Sequence, residues 1–493
     1  MTLRLFIFLL VARLACVLPA KAEPPARVLT LEECVRRALA HNLDVRIEEL
    51  AVAAEGWNVV REQAEFDPAL FGNTTYRDSS QPLDPERAAA LGLGSLESQT
   101  WRFETGFEGR LPTGTRYRLS LQDTRTEGTL APEPVHVGAA AVSLTQPILR
   151  DFGLQPNLAR LRVARLSRRM ATEQWRALAS RVLTDTQIAY FQLVHAHEAR
   201  QAAVEDRQRA QRLLADTRRR AELGVVNRLE IVQAEAGVAA REEAVLVAEQ
   251  TIREAENTLR RLMGLVGTQG AETRMLPAEL PALPEPTLER EAALRVALEQ
   301  RPDYQQLRHQ VEREGVLVRF QRNQLWPQFD LVGSYGLNAR ANTFGDWTDN
   351  LGRAEDPEWA VGLVMRVPLG NRAARAEYQQ ARIREQQAQL ALERLQQQIV
   401  LEVDNAIGRV RTNRQRVEAT RAAWRLAEES LRAEEEKQRA GSSTSFLVLE
   451  AQSRLAQARA ALIRAEADYR SSIVELAHAQ GTAFEQAGIV LVE

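Results

Sequence analysis

Leu223-Gly224-Val225-Val226-Asn227-Arg228-Leu229-Glu230-Ile231-Val232-Gln233-Ala234 returns later in the chain as Ala440-Gly441-Ser442-Ser443-Thr444-Ser445-Phe446-Leu447-Val448-Leu449-Glu450-Ala451. Each copy is a short Gly-containing turn between a very long Ala/Arg/Glu/Gln-rich stretch and a shorter one. Upstream, Ala38-Leu39-Ala40-His41-Asn42-Leu43-Asp44 answers to Ala297-Leu298-Glu299-Gln300-Arg301-Pro302-Asp303. The chain is therefore two tandem repeats of a long helical hairpin. Such units cannot bury their faces alone and must pair with each other or with other chains.

Working outward from the turns, no proline occurs from Asn157 to Leu223 or from Asn371 to Ala440. At 1.5 Å per residue each stretch predicts a helix of roughly 100 Å. In the second stretch Val403, Val410, Val417, Trp424 and Leu431 recur at heptad spacing. The companion row is Leu392, Ile399, Ala406, Asn413, Thr420 and Ala427, which turns small or polar after Ile399. That seam lets neighbouring helices approach closely and supercoil left-handedly. After the turns, Arg228–Met263 and Ser445–Ala479 return as helices of about half that length. Before the turns, Thr30-Leu31-Glu32-Glu33 is a capping box that opens a helix ending ahead of Asp67-Pro68. Its counterpart is opened by Thr287, runs from about Leu288 to Leu325 and stops at Trp326-Pro327. The short helices are expected to stack end to end along the long ones.

Between these helices the hydrophobic period changes to two. Trp101, Phe103, Phe107 and Leu111 point one way, while Arg102, Glu104, Glu108 and Arg110 point the other. An apolar-out, charged-in alternation of about ten residues fits a strand that crosses an outer membrane. Trp359, Val361, Leu363, Met365 and Val367 repeat it, and Phe329, Leu331, Gly333, Tyr335 and Leu337 do so more weakly. Leu111-Pro112-Thr113-Gly114 is a tight turn into a strand at Arg116–Asp123, and Val137–Gln146 is a further strand. Strands are thus expected at about 69–147, 328–338 and 359–368, about four in the first repeat and about two in the second. Asp78–Ser98, Arg125–Pro134 and Asn342–Glu358 read as exposed loops.

Met1–Ala22 reads as a secretory leader: Arg4, an apolar run from Leu5 to Val11, and Ala20-Lys21-Ala22 as the cleavage site. Arg13 stands where a lipid-attachment signal at Cys16 would want an apolar residue. Without the leader the chain has 61 bases against 66 acids, a net charge of −5, which is no nucleic-acid footprint. It also keeps a single cysteine, Cys34, and so no intrachain disulfide. The domain plan is a leader over 1–22, a first repeat over 23–275, a Pro-rich linker over 276–286 and a second repeat over 287–493.

Four to six strands cannot close a barrel, and an open sheet edge cannot face lipid. Several copies must therefore share one barrel, with the helices standing in a ring around a lumen. The Ala/Arg/Glu/Gln composition and the narrow apolar seam fit helices wetted on two sides.

The ordered, duplicated set resembles the TolC family of trimeric outer-membrane channels. The resemblance rests on the helix starts Leu31–Asp44 and Leu288–Asp303, on Gln146-Pro147-Ile148-Leu149 with Arg150-Asp151-Phe152-Gly153, on Val367-Pro368-Leu369, and on the two Gly turns. It implies a mainly α fold with β: long antiparallel hairpins forming a periplasmic α-barrel, plus strands contributed to a shared transmembrane β-barrel. It implies a homotrimer in the cell outer membrane, a periplasmic membrane-fusion adaptor at the helix tips and an inner-membrane transporter behind it. The implied function is a passive exit duct of a tripartite efflux or type I secretion system, gated by an iris-like uncoiling of the tip helices. The alternative is a periplasmic coiled-coil adaptor or structural rod. The family's usual barrel takes four strands per chain, whereas the Trp101–Asp123 hairpin suggests two more here or a hairpin packed elsewhere.

The resemblance also nominates residues. Leu223, Gly224, Val225, Val226 and Asn227, with Ala440, Gly441, Ser442, Ser443 and Thr444, would form adaptor-docking tips. Family members often carry a D-x-x-D pair after the second turn. The matching positions are Leu447 and Glu450, so one acidic ring at Glu450 and an apolar ring at Leu447 are the candidate pore constriction. No catalytic constellation, P-loop or cofactor motif stands out, so neither an enzyme nor a cofactor is expected. His195 and His197 are two apart on a helix and face apart, which disfavours a metal pair.

Overall fold

The computed structural model describes residues 26–266, 274–278 and 288–489. The leader Met1–Ala22, most of the Pro-rich linker and Thr287 lie outside the described residues. The first repeat holds β1 (Ala26–Leu29), α1 (Leu31–His41), α2 (Leu43–Gln63), β2 (Ala69–Pro82), α3 (Pro85–Leu91), β3 (Ser95–Arg110), β4 (Arg116–Gly128), β5 (Ala131–Pro147), α4 (Leu154–Asn157), α5 (Ala159–Glu222), α6 (Arg228–Leu262) and β6 (Arg274–Pro277). The second holds α7 (Arg290–Gln300), α8 (Pro302–Asn323), β7 (Gln328–Ala341), α9 (Phe344–Arg353), β8 (Asp356–Arg366), α10 (Arg372–Arg439), α11 (Ser445–Gln480) and α12 (Ala483–Gln486). Among the described residues no helix is long and apolar enough to cross a membrane.

The chain divides into two compact units. One gathers Met1–Asn42, Val182–Pro286 and Arg409–Val474; the other gathers Leu43–Arg181, Thr287–Gly408 and Glu475–Glu493. In the first unit, β1 and β6 pair in parallel, a small sheet absent from the sequence reading. The buried Tyr190 hydroxyl of α5 binds it, 3.1 Å from Leu29 O and 3.2 Å from Ala278 O. Glu256 of α6 accepts the Met275 N–H at 3.0 Å from the other side. The heptad residues Val410, Val417 and Leu431 of α10 are buried here, Leu431 among Val448, Ala451 and Leu455 of α11.

In the second unit, six strands form one antiparallel sheet in the order β2-β3-β4-β5-β7-β8. The hairpin β3–β4 lies inside the sheet, which decides the question that the sequence left open. Leu70, Phe107, Leu119, Val142, Tyr335 and Trp359 stand level across all six strands. Every one of these side chains is exposed. The opposite face carries the level row Asn73, Glu104, Gln122, Ala139, Asn338 and Asp356. There Arg118 bridges Glu104 and Glu108 at 2.7 Å each. The expected alternation is therefore present at the level of the whole sheet.

Four helices of this unit follow one another as α2, α5, α8 and α10. Gly56 of α2 lies beside Arg168 of α5. Ala159 and Leu166 of α5 pack with Val316 and Phe320 of α8. Gln396 of α10 donates to the Tyr304 hydroxyl of α8 at 2.7 Å.

Several expectations need correction. The single helix over 30–66 is α1 and α2, broken at Asn42, followed by a short 3-10 turn at Ala64–Phe66. The helix over 288–325 begins at Arg290 and is broken at Arg301, because Pro302 holds the preceding residue extended. The expected loops are largely ordered. β2 runs on to Pro82, β4 and β5 extend to Gly128 and Ala131, and α3 and α9 fill much of the rest. Asp84 and Thr343 accept the Arg87 and Asp346 N–H groups and cap those helices. The last strand covers Asp356–Arg366 rather than 359–368.

The two breaks form a duplicated joint. Asn42 donates to Leu262 O, at the end of α6, at 3.0 Å. Arg301, its counterpart in the second repeat, donates to Ala479 O, near the end of α11, at 3.2 Å. Each joint is closed by a left-handed glycine: Gly264 at φ +68 and Gly481 at φ +77. A Cβ on Gly264 would sit 2.4 Å from His41 O, and one on Gly481 would sit 2.9 Å from Arg301 N. Gly264→Ala is therefore expected to destabilise the protein by about 2 kcal/mol or more, from the strained φ and the backbone clash. Gly56→Ala, inside α2, would place its Cβ 4.0 Å from Arg168 Nε, an ordinary contact, and should be neutral or stabilising by up to about 1 kcal/mol. Thermal unfolding of the detergent-solubilised protein compares the two.

Candidate functional site

The two helical turns are built alike. At the first, Gly224 adopts φ +73. Its N–H donates to Ala221 O at 2.9 Å, and the Val225 N–H donates to Arg220 O at 2.9 Å. At the second, Gly441 adopts φ +77. Its N–H donates to Gln438 O at 3.1 Å, and the Ser442 N–H to Lys437 O at 2.9 Å. A left-handed residue closing the last carbonyls in this way ends a helix cleanly. The next helix is then opened by a side chain: Asn227 Oδ1 accepts the Glu230 N–H at 3.1 Å, and Thr444 Oγ1 accepts the Leu447 N–H at 3.4 Å.

Of the nominated tip residues, Leu223, Gly224, Val225, Asn227, Ala440, Gly441, Ser442 and Thr444 are exposed; Val226 and Ser443 are half-buried. Leu223 is 79% and Val225 62% exposed, which no packing within one chain explains. Ser443 donates its hydroxyl to the Glu434 carboxylate. That bond, with Lys437 nearby, holds the Glu434 carboxyl below its ordinary range.

Just behind the turns, Thr217 of α5 donates to Ser445 of α11 at 3.3 Å, and Gln438 of α10 reaches the same hydroxyl at 3.2 Å. Leu213, Leu431, Val448, Ala451 and Leu455 form the core beneath. Both turns therefore belong to one packed end of the first unit. Leu447 points outward there, 42% exposed. Glu450 accepts from Arg454 Nη2 at 2.6 Å one helical turn away, an ion pair absent from the sequence reading. His195 Nδ1 meets Glu198 at 2.9 Å, while His197 is half-buried and held neutral by burial beside the Met275 backbone. The two rings are used separately.

The sheet rims, which the sequence reading expected to be shared between copies, and two helix faces, which it missed, form a second candidate surface. Among the described residues β2 and β8 each pair on one side only. β8 is exposed along its full length. On α2, which leads into β2, Leu43, Leu50 and Trp57 recur every seven residues and are all exposed, with Ile47 between them. On α10, which follows β8, Ile383 and Leu390 are spaced alike and also exposed. The heptad count that found the buried row of α10 would have found these rows too.

The chain matches the family model described as outer membrane efflux protein over residues 34–265 and 293–482. No curated protein matches it. Among solved structures, a membrane protein from Pseudomonas aeruginosa is similar at TM-score 0.69 and 19% identity, covering 92% of each chain. The Campylobacter jejuni CmeC outer membrane channel matches at TM-score 0.67 and 17% identity, over 92% of this chain and 86% of the other. The outer membrane protein VceC from Vibrio cholerae matches at TM-score 0.66 and 17% identity, over 92% and 96%. At such identities the likeness carries the fold, and it is the same TolC-like fold throughout. With the family model covering both repeats, the chain belongs to the outer membrane efflux protein family.

Proposed function

We propose that the protein is the passive exit duct of a tripartite efflux or type I secretion system, with three copies closing one wall in the outer membrane. The observation that carries this reading is the exposed apolar row of Leu70, Phe107, Leu119, Val142, Tyr335 and Trp359, running between two unpaired rims. An apolar belt suits lipid. A rim of unpaired N–H and C=O groups in hydrocarbon costs several kcal/mol per group, and pairing with another copy removes that cost. The rims run in opposite directions, as head-to-tail pairing in a closed antiparallel barrel requires. The apolar rows on α2 and α10 lie on the elements that continue those same rims.

A periplasmic membrane-fusion adaptor would dock on the turns 223–227 and 440–444, and an inner-membrane transporter would supply the energy. Crosslinkers placed at Val225 and Ser443 should trap an adaptor hairpin. Capture only from mid-helix positions would refute the docking assignment. Fractionation should recover the chain in the outer membrane, released by detergent alone; a periplasmic soluble pool would favour the structural-rod reading.

At the constriction, Leu447 would supply an apolar ring and Glu450 an acidic one. Its pairing with Arg454 makes the ring electrostatically muted in the resting chain. Three carboxylates brought together attract cations only as far as that partner leaves them free. Arg454→Gln should therefore raise cation selectivity and divalent block of reconstituted channels, and Glu450→Gln should abolish both. Equal conductance properties in the two variants would remove Glu450 from the pore.

A further inference from the structure

The chain connects helices to strands one to one. In the second unit α2 leads into β2, β5 leads through α4 into α5, α8 leads into β7, and β8 leads into α10. The helices follow one another as α2, α5, α8, α10, and their strands as β2, β5, β7, β8. Only β3 and β4 connect to none of these four helices; the seven-residue α3 alone precedes β3. They stand between the strand that continues α2 and the strand that continues α5.

The inserted hairpin is part of the wall. Its partners are in register along both sides, from Ala69↔Glu108 to Pro82↔Ser95 on β2 and from Arg116↔Thr145 onward on β5. It continues both the apolar row, through Phe107 and Leu119, and the polar row, through Glu104 and Gln122. Its tight turn is tied to the helices. Arg110 reaches Glu65 at 2.7 Å and bonds to the buried Asn157, and the Gly153 N–H donates to Thr113 O at 3.1 Å.

Simple geometry says what two extra strands do. Strands about 4.8 Å apart and tilted by about 40° each take about 6.3 Å of a barrel's circumference. Six strands then span about 38 Å of wall and four would span about 25 Å. Six strands therefore widen the wall by about half over four.

We propose that β3–β4 is a widening insert, so that the shared barrel has eighteen strands, closed by pairing β8 of one copy with β2 of the next. The inference rests on the three-copy reading above. Its functional consequence is that the strand bore, about 36 Å across the backbone instead of about 24 Å, admits bulky cargo and leaves selection to the helical turns.

Pulsed electron paramagnetic resonance on the full chain tests it. Ser334→Cys in a Cys16→Ala background places a nitroxide on the polar face of β7. Cys34 is buried, its thiol pushed up to about 12, and stays unlabelled. With each label reaching about 6 Å into the bore, a single inter-copy distance of about 20 Å is expected for eighteen strands, against about 10 Å, read as strong dipolar broadening, for twelve. A variant with residues 83–130 replaced by a two-residue turn should shrink it by about half. Its register allows this, since Leu70 already stands level with Val142 and β2 is antiparallel to β5. A distance of about 10 Å in the full chain would overturn the insert while leaving the three-copy wall standing. Trimers whose distance is unchanged by the deletion would overturn it as well. The absence of any inter-copy distance would overturn the three-copy reading, and this inference with it.

Discussion

A strand in hydrocarbon must have its backbone paired on both sides, and among the described residues of one copy nothing does that for β2 and β8. Its sheet is six strands wide and open. Water would solvate the free N–H and C=O groups of either rim; lipid cannot. The exposed apolar row shows which of the two solvents the outer face suits, since a face that carries Leu70, Phe107, Tyr335 and Trp359 level with one another is costly to hydrate. The polar face carries the Arg118 bridges to Glu104 and Glu108, which need water or one another. Lipid on one side, water on the other and unpaired rims between them leave ring closure as the arrangement that satisfies every group.

The duplication is a matter of geometry more than of chemistry. Asn42 and Arg301 occupy matching joints, and each donates to a carbonyl at the end of a returning helix. The amide does this as a neutral group. The guanidinium must also be neutralised, and it is, by Asp303 at 2.7 Å and Glu402 at 2.7 Å. Buried charge without such partners would cost several kcal/mol. The turns follow the same rule: left-handed glycines and side-chain caps are retained, while the exposed residues change from Leu223 and Val225 to Ala440 and Ser442.

Much of this was legible in the sequence, for reasons that can be named. Long helices have many residues to report their period, and the glycine turns mark their ends; α5, α6, α10 and α11 accordingly lie within about two residues of where periodicity puts them. Strand alternation at Trp101–Leu111 was equally clear, because each face meets a different solvent. What escaped were features set by distant partners. Nothing local at Asn42 announces a helix break, since the break exists to receive Leu262 from across the first repeat. The pairing of β1 with β6 joins segments more than two hundred residues apart. At the second candidate surface the signal was present and overlooked: Leu43, Leu50 and Trp57 keep heptad spacing, but in a helix read mainly for its capping box. Glu450 could be placed by analogy with an acidic pair, whereas its neutralisation by Arg454 required only the i, i+4 rule.

The exposed rows on α2 and α10 bear on what the folded unit is. Each row has the spacing of one side of a coiled-coil seam, and among the described residues neither has its other side. The same is true of the backbone rims of β2 and β8, which are the direct continuations of those helices. Under the proposed three-copy reading, helix faces and strand rims become buried in the same step, when one copy meets the next. Burial of that kind stabilises the assembled state and not the lone chain, so the stability of the wall depends on the concentration of copies in the membrane. Closure is then what separates a ring from an open chain of copies: the last rim must meet the first, and only a fixed angle between successive copies allows it.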